Sequence, residues 1–292
     1  MSDQIEFLWR QLPNLLWGFP SNRPGGLVLS ILLSTGAIAL GLVLATGLAL
    51  VQHSRQEVPR RQGRILRFLR VPVIVLLVLL FLYLRTGFFL GIQFSTLGSA
   101  ITALALYAAI YEPQRLAARI VWALRGIPLI VLLVLLFQYL GTGWFFGIRF
   151  SAFWSAFTTL TLYAAAYQAD IVFGGIAAVP QQLRDDARVL GASRFTVART
   201  VTMPYCLRTM RPSLTTQAVT IFKDSSVVVV LGVADLSTNA RIALGGNVNN
   251  APFWVATYLL VGFLYWCVAF GVARFAERHI RRDARLVGRA YV

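Results

Sequence analysis

The chain has 292 residues, of which 58% are hydrophobic and 13% charged, and its formal net charge is +16. This balance is too apolar for a soluble domain of that length and predicts an integral membrane protein. The arginines cluster beside apolar stretches, as in the cytoplasmic loops of membrane proteins, and this argues against nucleic-acid binding. Cys206 and Cys267 are too few and too far apart for a disulfide framework or a metal site.

The first element, residues 1–25, carries charged residues from Asp3 to Arg23 and lacks the basic start and apolar run of a signal peptide. Its tryptophans and leucines predict a short interfacial segment instead. Gly26 begins an uncharged stretch that ends at Val51, which is long enough to cross a bilayer at roughly 20 residues per crossing.

The complete pattern predicts about seven spans. They cover residues 26–51, 71–90, 94–120, 127–147, 150–179, 212–235 and 252–273. Arginine accumulates after the first and third spans and in the tail, so these loops are predicted to be cytoplasmic. We therefore expect the amino terminus outside and the carboxyl terminus inside, with residues 281–292 as a cytoplasmic tail.

An internal repeat occupies the middle of the chain. The 40 residues from Pro72 match those from Pro128 without a gap, at roughly two-thirds identity. Because a pair of spans was copied, later spans keep their orientation, so the repeat is direct and not inverted. The first copy, within residues 65–122, either adds lipid-facing bulk or has a distinct role.

A polar insert, residues 181–211, separates two apolar stretches. Leu183, Ala187 and Leu190 share one helix face, whereas Arg184, Asp185 and Arg188 lie on the other. Gly191 is predicted to end this helix. A second amphipathic helix follows, with Phe195, Ala198 and Val201 on its apolar side, and the chain re-enters the membrane at Pro204 and Pro212. The pattern predicts two short surface helices that offer a charged face to a partner in the water.

Charged residues also occur inside predicted spans. Lys223, the chain's only lysine, and Asp224 lie near the middle of the 212–235 span. An unpaired charge there costs roughly 3 kcal/mol or more, so both should face the interior or a cavity. Each either has a structural partner, such as Asp170 for Lys223, or lies on a solute pathway. The candidate pathway residues are Asp170, Gln217, Lys223, Asp224, Ser225 and Ser226.

Nothing in the sequence predicts catalysis. The glycine-rich stretch near residue 245 lacks the phosphate-binding GxxxxGK[ST] pattern, so no ATP or Mg²⁺ site is expected on this chain. His53 and His279 are isolated, which leaves no histidine for a metal centre or a catalytic triad.

The stretch from Tyr163 to Leu236 resembles permease subunits of bacterial ABC importers for polar amino acids, the histidine and glutamine permease family. The resemblance covers about 26–53 and 125–280, not the first repeat copy. The matching motifs are Arg125-Gly126-Ile127-Pro128-Leu129, Ala165-Ala166-Tyr167 with Asp170-Ile171 and Gly174-Gly175-Ile176, Asp185-Asp186-Ala187 with Gly191, Met203-Pro204, and Lys223-Asp224-Ser225-Ser226.

The resemblance implies an all-α type I importer domain, residues 26–280, with a five-span core and a duplicated two-span insert. Its core, 125–236, would carry coupling helices at 181–200 that dock on a separate ATPase. The implied coupling residues are Asp185, Asp186, Ala187, Arg188, Gly191 and Pro204.

The resemblance also implies a place in a bacterial inner membrane and a set of partners. These are a second permease subunit, two ATPase subunits that hold ATP and Mg²⁺, a periplasmic solute-binding protein, membrane lipid and an amino acid substrate. An unlike second permease subunit is favoured over an identical one. The chain departs from the family pattern at Asp185, where glutamate is usual, at Asp186, where alanine is usual, and at Phe173, where arginine is common.

Two other classes compete with the importer. An ion-gradient-driven secondary transporter would use Lys223, Asp224 and Asp170 for ion or proton coupling, but it leaves the polar insert without a role. A membrane scaffold without transport would make the buried charges purely structural. The ordered set of motifs favours the importer over both.

Overall fold

The computed structural model describes residues 2–18, 25–53, 113–142 and 149–290. Regular structure in these ranges is helical, which confirms the predicted all-α class. The α-helices in chain order are α1 (Ser2–Trp17), α2 (Gly26–His53), α3 (Pro113–Gly126), α4 (Leu129–Gly141), α5 (Ala152–Ala177), α6 (Gln181–Val189), α7 (Arg194–Val197), α8 (Met203–Asp224), α9 (Leu236–Gly245) and α10 (Trp254–Ala290).

Three helical segments among the described residues are long and apolar enough to cross a membrane: Gly26–Gln52, Phe195–Leu231 and Val248–Ile280. Two bent pairs, α3 with α4 and α5 with α6, raise the number to five if each pair is one span. The predicted span at 71–90, most of the span at 94–120 and the first repeat copy lie outside the described residues. The seven-span count therefore stays a prediction.

The described end of the predicted third span, residues 113–120, lies in α3. This amphipathic helix is bent by 109° from α4. Ala117 and Val121 are buried on its inner face, whereas Trp122 is 79% exposed. Arg115 and Arg119 are exposed, as expected of the polar side of an amphipathic helix.

The core of the molecule is the packing of α2 against α5. Small residues let the two backbones approach closely: a Cβ at Gly41 would lie 3.0 Å from Cβ of Ala164 and from Oε1 of Gln168. Gln168 Nε2 donates to the Ile38 carbonyl oxygen across this interface, at 3.3 Å. A polar side chain therefore joins two apolar helices at a point where larger residues would separate them.

The amino-terminal helix α1 is anchored at one end of the core. Leu15 is fully buried against α9 and α10, while Trp9 and Trp17 are exposed. Exposed tryptophans on an otherwise docked helix are typical of a membrane–water interface, in keeping with the interfacial segment expected from the sequence.

The second glycine of the Gly174-Gly175 pair allows α5 to touch α8. A Cβ at Gly175 would lie 2.3 Å from Met210 Cγ, and the Cys206 thiol donates to the Gly175 carbonyl oxygen at 3.2 Å. A Cβ at Gly174 would meet no atom within 4 Å. Only Gly175 is therefore required by the packing.

We expect Gly175→Ala to destabilise the protein by about 1–3 kcal/mol, because Met210 must leave its rotamer to make room. Most of this loss should vanish when Met210→Ala is already present, since the two residues contact each other. Thermal unfolding in detergent measures both effects. Gly174→Ala is the matched control and should change stability by less than about 1 kcal/mol. Equal losses from Gly175→Ala in both backgrounds would contradict the contact.

Candidate functional site

The coupling segment, residues 181–200, begins with α6. Pro180 precedes the helix, and Gly191, with φ of +84°, ends it. Gly191 N–H donates to the Arg188 carbonyl oxygen at 2.9 Å, and Ala192 N–H donates to that of Ala187 at 3.0 Å. This pair of bonds is a Schellman turn, which needs a left-handed residue at the glycine position. The prediction that Gly191 ends the helix is confirmed.

The helix that follows the turn differs from the prediction. The Ser193 hydroxyl accepts a hydrogen bond from Thr196 N–H at 3.2 Å and so starts α7. The chain then continues through a π-helical turn, Ala198–Thr202, directly into α8. The second amphipathic piece is thus the first part of one long helix. Pro204 does not interrupt it, because the wider π-helical turn Ala198–Thr202, in which Met203 N–H donates to the Ala198 carbonyl oxygen, lies directly before the proline.

The exposed face of α6 is also different from the predicted one. Arg184, expected on the water-facing side, is half-buried and donates to the Val179 carbonyl oxygen at 2.8 Å. The apolar side chains of Leu190 and Val189 are 87% and 86% exposed, and Phe195 on α7 is 74% exposed. The coupling segment therefore presents an apolar patch, not only charge, away from the core of this chain.

The six predicted coupling residues occupy distinct positions on this segment. Asp185 and Arg188 are exposed and lie within an ion-pair distance of 3.6 Å. Asp186 is exposed, so its charge is not buried within this chain. Ala187 is half-buried and supplies a carbonyl to the turn. Of the six, Pro204 alone lies in the long helix beyond the turn.

The predicted pathway residues on α8 and the 3-10 segment Ser225–Leu231 do not all face the same way. Gln217, Asp224 and Ser226 are half-buried, and Lys223 is exposed. Ser225 is buried and its hydroxyl donates to the Phe222 carbonyl oxygen at 2.7 Å, so it faces the core. Lys223 was expected inside or in a cavity; instead it lies on a surface that this chain alone does not cover.

The proposed structural pairing of Asp170 with Lys223 is wrong. Asp170 forms an ion pair with Arg125, which lies in the last turn of α3. The Arg125 guanidinium also lies over the Tyr167 ring, 5.2 Å from its centroid. Asp170 is thereby tied to the hinge between α3 and α4. It is a separate site from Lys223 and Asp224.

Two groups were missed by the sequence reasoning. Tyr163 lies against Tyr167, with ring centroids 4.8 Å apart and the rings tilted by 52°. Val189 was not assigned to the apolar side of α6 because it falls outside the i, i+4, i+7 set. The Tyr163-to-Tyr167 spacing of four residues on α5 was the available signal for the first group.

Comparison with known proteins gives a consistent result. Residues 113–282 match the family of binding-protein-dependent transport system inner membrane components. A probable glutamine ABC transporter permease of Bacillus subtilis is 27% identical over 73% of this chain and 92% of its own length. A glutamate, glutamine, aspartate and asparagine permease of Rhodobacter capsulatus is 29% identical over 59% of this chain, but the match spans 40% of that protein.

Solved structures agree on the fold. An amino acid ABC transporter crystallised with histidines has a TM-score of 0.60 and 21% sequence identity, over 88% of this chain and 92% of that one. A chain of an inward-facing methionine ABC transporter has a TM-score of 0.53 and 20% identity over 94% and 97%. The helical arrangement described above is therefore that of an ABC transporter transmembrane domain.

Proposed function

This chain belongs to the family of binding-protein-dependent transport system inner membrane components, and on that premise we propose that it carries polar amino acids inward across a bacterial inner membrane. Proteins of this family are multi-pass permeases that work with ATPase subunits and a solute-binding protein. The substrate class comes from the relatives named above, which are permeases for glutamine and for acidic amino acids. These substrates share the charged α-amino and α-carboxylate groups of all amino acids.

The observation that carries the proposal is the exposed coupling segment. Its two helices meet in a rigid Schellman turn, and apolar Val189, Leu190 and Phe195 project from it beside Asp185 and Asp186. An apolar patch with a charged rim is typical of a protein interface. We assign this patch to the groove of a separate ATPase subunit, which holds ATP and Mg²⁺, so this chain is a transport subunit and not an enzyme.

A second permease subunit is inferred from the exposed face of α8. Lys223 lies in the last turn of α8, inside the segment Phe195–Leu231 that is long enough to span the membrane, and contact of its charge with lipid there would cost up to roughly 3 kcal/mol. Another permease chain that covers this face removes the cost and encloses a polar passage. Four polar residues that would border this passage are half-buried: Gln217, Asp224, Ser226 and Tyr163. We favour an unlike partner, with the amino acid site formed between the two subunits.

The mechanism follows from the long helix. Because the second half of the coupling segment continues into α8 without a break, a displacement at Phe195 is transmitted along the helix toward Lys223. Closure of the ATPase subunits around ATP would then change access to the passage from one side of the membrane to the other. Periplasmic binding protein supplies the amino acid to the outward-facing state.

The experiment is uptake into proteoliposomes that contain the chain with its permease, ATPase and binding-protein partners. We expect uptake of radiolabelled glutamine or glutamate only with ATP inside the compartment that holds the ATPase. An imposed proton or sodium gradient without ATP should give only background counts. Gradient-driven uptake that persists without ATP would establish the ion-coupled alternative, which has no support from the family match.

A further inference from the structure

A cavity of about 270 Å³ lies where the coupling segment meets the membrane helices. Its walls come from α2, α5 and α8 and are apolar. They include Leu42 and Leu50 on α2, Val172 on α5, and Leu207 and Met210 on α8. The cavity lies along residues 203–214 of α8, whereas the amino acid passage inferred above lies at residues 217–224 farther along the helix, so the cavity is a second site.

One end of the cavity carries positive charge. Arg184 and Arg188 of α6 both line it, one helical turn apart. No carboxylate is among the lining residues of this cavity, whose other members are apolar side chains with Thr46, Thr202 and Cys206. The Cys206 thiol is already bonded to the Gly175 carbonyl oxygen. Arg184 and Arg188 are therefore the charged groups that an occupant of the cavity would meet, and Arg188 also lies 3.6 Å from Asp185.

Arg184 has an unused donor. Its terminal nitrogen Nη2 donates to the Val179 carbonyl oxygen at 2.8 Å, but Nε is buried and finds no acceptor among the described residues. A buried donor without a partner costs about 1–3 kcal/mol, more when it belongs to a charged group. An anionic oxygen at the charged end of the cavity would satisfy it.

The cavity also joins segments that can span a membrane to an amphipathic helix. Its α2 and α8 walls belong to segments that can span a bilayer, while the arginines lie on the amphipathic helix that follows α5 at a 57° bend. Apolar walls that end in two guanidinium groups match a molecule with an acyl chain and an anionic phosphate, since arginine binds phosphate oxygens in bidentate geometry. A free phosphate ion would leave the apolar walls uncovered.

We propose that this cavity binds one anionic phospholipid, with its phosphate on Arg184 and Arg188 and the first part of an acyl chain between α2 and α8. The lipid joins α6 to the membrane helices without any contact with the transported solute. It thereby holds the coupling segment in place from the side opposite to the exposed apolar patch.

The test uses the full chain, purified with its subunits in mild detergent after equilibration with equal amounts of phosphatidylglycerol and phosphatidylcholine. Native mass spectrometry counts the retained lipids. We expect one phosphatidylglycerol per chain, and about tenfold weaker retention in Arg184→Gln, which loses a charge-assisted phosphate contact. Arg208→Gln is the matched control: it removes an exposed arginine from α8 that does not line the cavity, and it should retain lipid normally.

A second variant guards against misfolding of Arg184→Gln. Thr46→Phe fills the cavity from α2 and leaves both arginines intact, while Thr35→Phe places the same ring on an exposed position of that helix. We expect only Thr46→Phe to release the lipid. Retention by both Arg184→Gln and Thr46→Phe at the unmodified level, or equal retention of phosphatidylcholine and phosphatidylglycerol, would overturn the proposal.

Discussion

Gly191→Val is expected to lower ATP-driven uptake about tenfold or more and to weaken co-purification of the ATPase subunits. At φ of +84° a β-branched residue is strained by about 1–3 kcal/mol, so the Schellman turn opens and α6 changes direction relative to α7. Each 1.4 kcal/mol of that strain reduces the population of the correct turn about tenfold. Uptake in proteoliposomes and pull-down of the ATPase measure the two effects.

Gly191→Val should strain the backbone without crowding any neighbouring residue. A Cβ at Gly191 meets nothing within 4 Å in this chain, so the spans should stay folded and the melting temperature should hold. Gly191→Asn is the matched variant, because asparagine tolerates the left-handed conformation, and it should keep most of the uptake. Normal uptake by Gly191→Val would show that the turn has no role in coupling. Equal losses in both variants would assign the effect to the side chain and not to the backbone.

Gly26→Ala is expected to cause the largest loss of stability. With φ of +58°, a Cβ there would lie 2.1 Å from the Leu15 carbonyl oxygen, which is backbone and cannot rotate away. Strain of about 1–3 kcal/mol and overpacking of a similar size add up to at least about 3 kcal/mol. For a chain of this size, that lowers the melting temperature by roughly 5–10 °C.

The loss of packing caused by Gly26→Ala should extend beyond the amino-terminal helix. Gly26 N–H donates to the Ala234 carbonyl oxygen at 2.9 Å, and Ser30 Oγ on α2 accepts from Leu236 N–H at 3.2 Å. Asp235 between them caps α9 and accepts a hydrogen bond from the Tyr265 hydroxyl of α10. Displacing Gly26 therefore loosens α1, α2, α9 and α10 together.

Gly47→Ala on the same helix is the matched control for Gly26→Ala. Its Cβ meets nothing within 4 Å, so alanine should stabilise the helix by up to about 1 kcal/mol. Thermal unfolding of the detergent-solubilised protein compares the two. A melting temperature for Gly26→Ala within about 1 °C of the unmodified chain would contradict the tight joint between α1 and α2.

Much of the fold follows from local sequence properties. An uncharged stretch from Gly26 must satisfy its backbone bonds within itself in a membrane, so it can only be a helix. The end of α6 at Gly191 was equally predictable, because a Schellman turn depends on one left-handed residue. The 109° bend between α3 and α4 was not, because hydropathy averages over a window and does not register a bend between two helices.

The site depended more on contacts that are distant in sequence. The partner of Asp170 is Arg125, 45 residues away, and not the lysine that the spans suggested. Arg184 turns toward the core, where it donates to the Val179 carbonyl oxygen and lines a cavity beside residues of α2, α5 and α8, and no local pattern predicted this placement. Periodicity identifies the two faces of a short helix but not which of them the rest of the molecule covers.

The sequence by itself determined that the chain is helical and crosses a membrane, and its ordered motifs indicated the permease family. These properties depend on composition, on period and on single residues such as Gly191. The tertiary structure decided which charges pair, that the second half of the coupling segment continues into α8, and that Val189, Leu190 and Phe195 face outward. Those outcomes depend on how helices that are far apart in the chain pack against one another. A local sequence pattern does not contain that information.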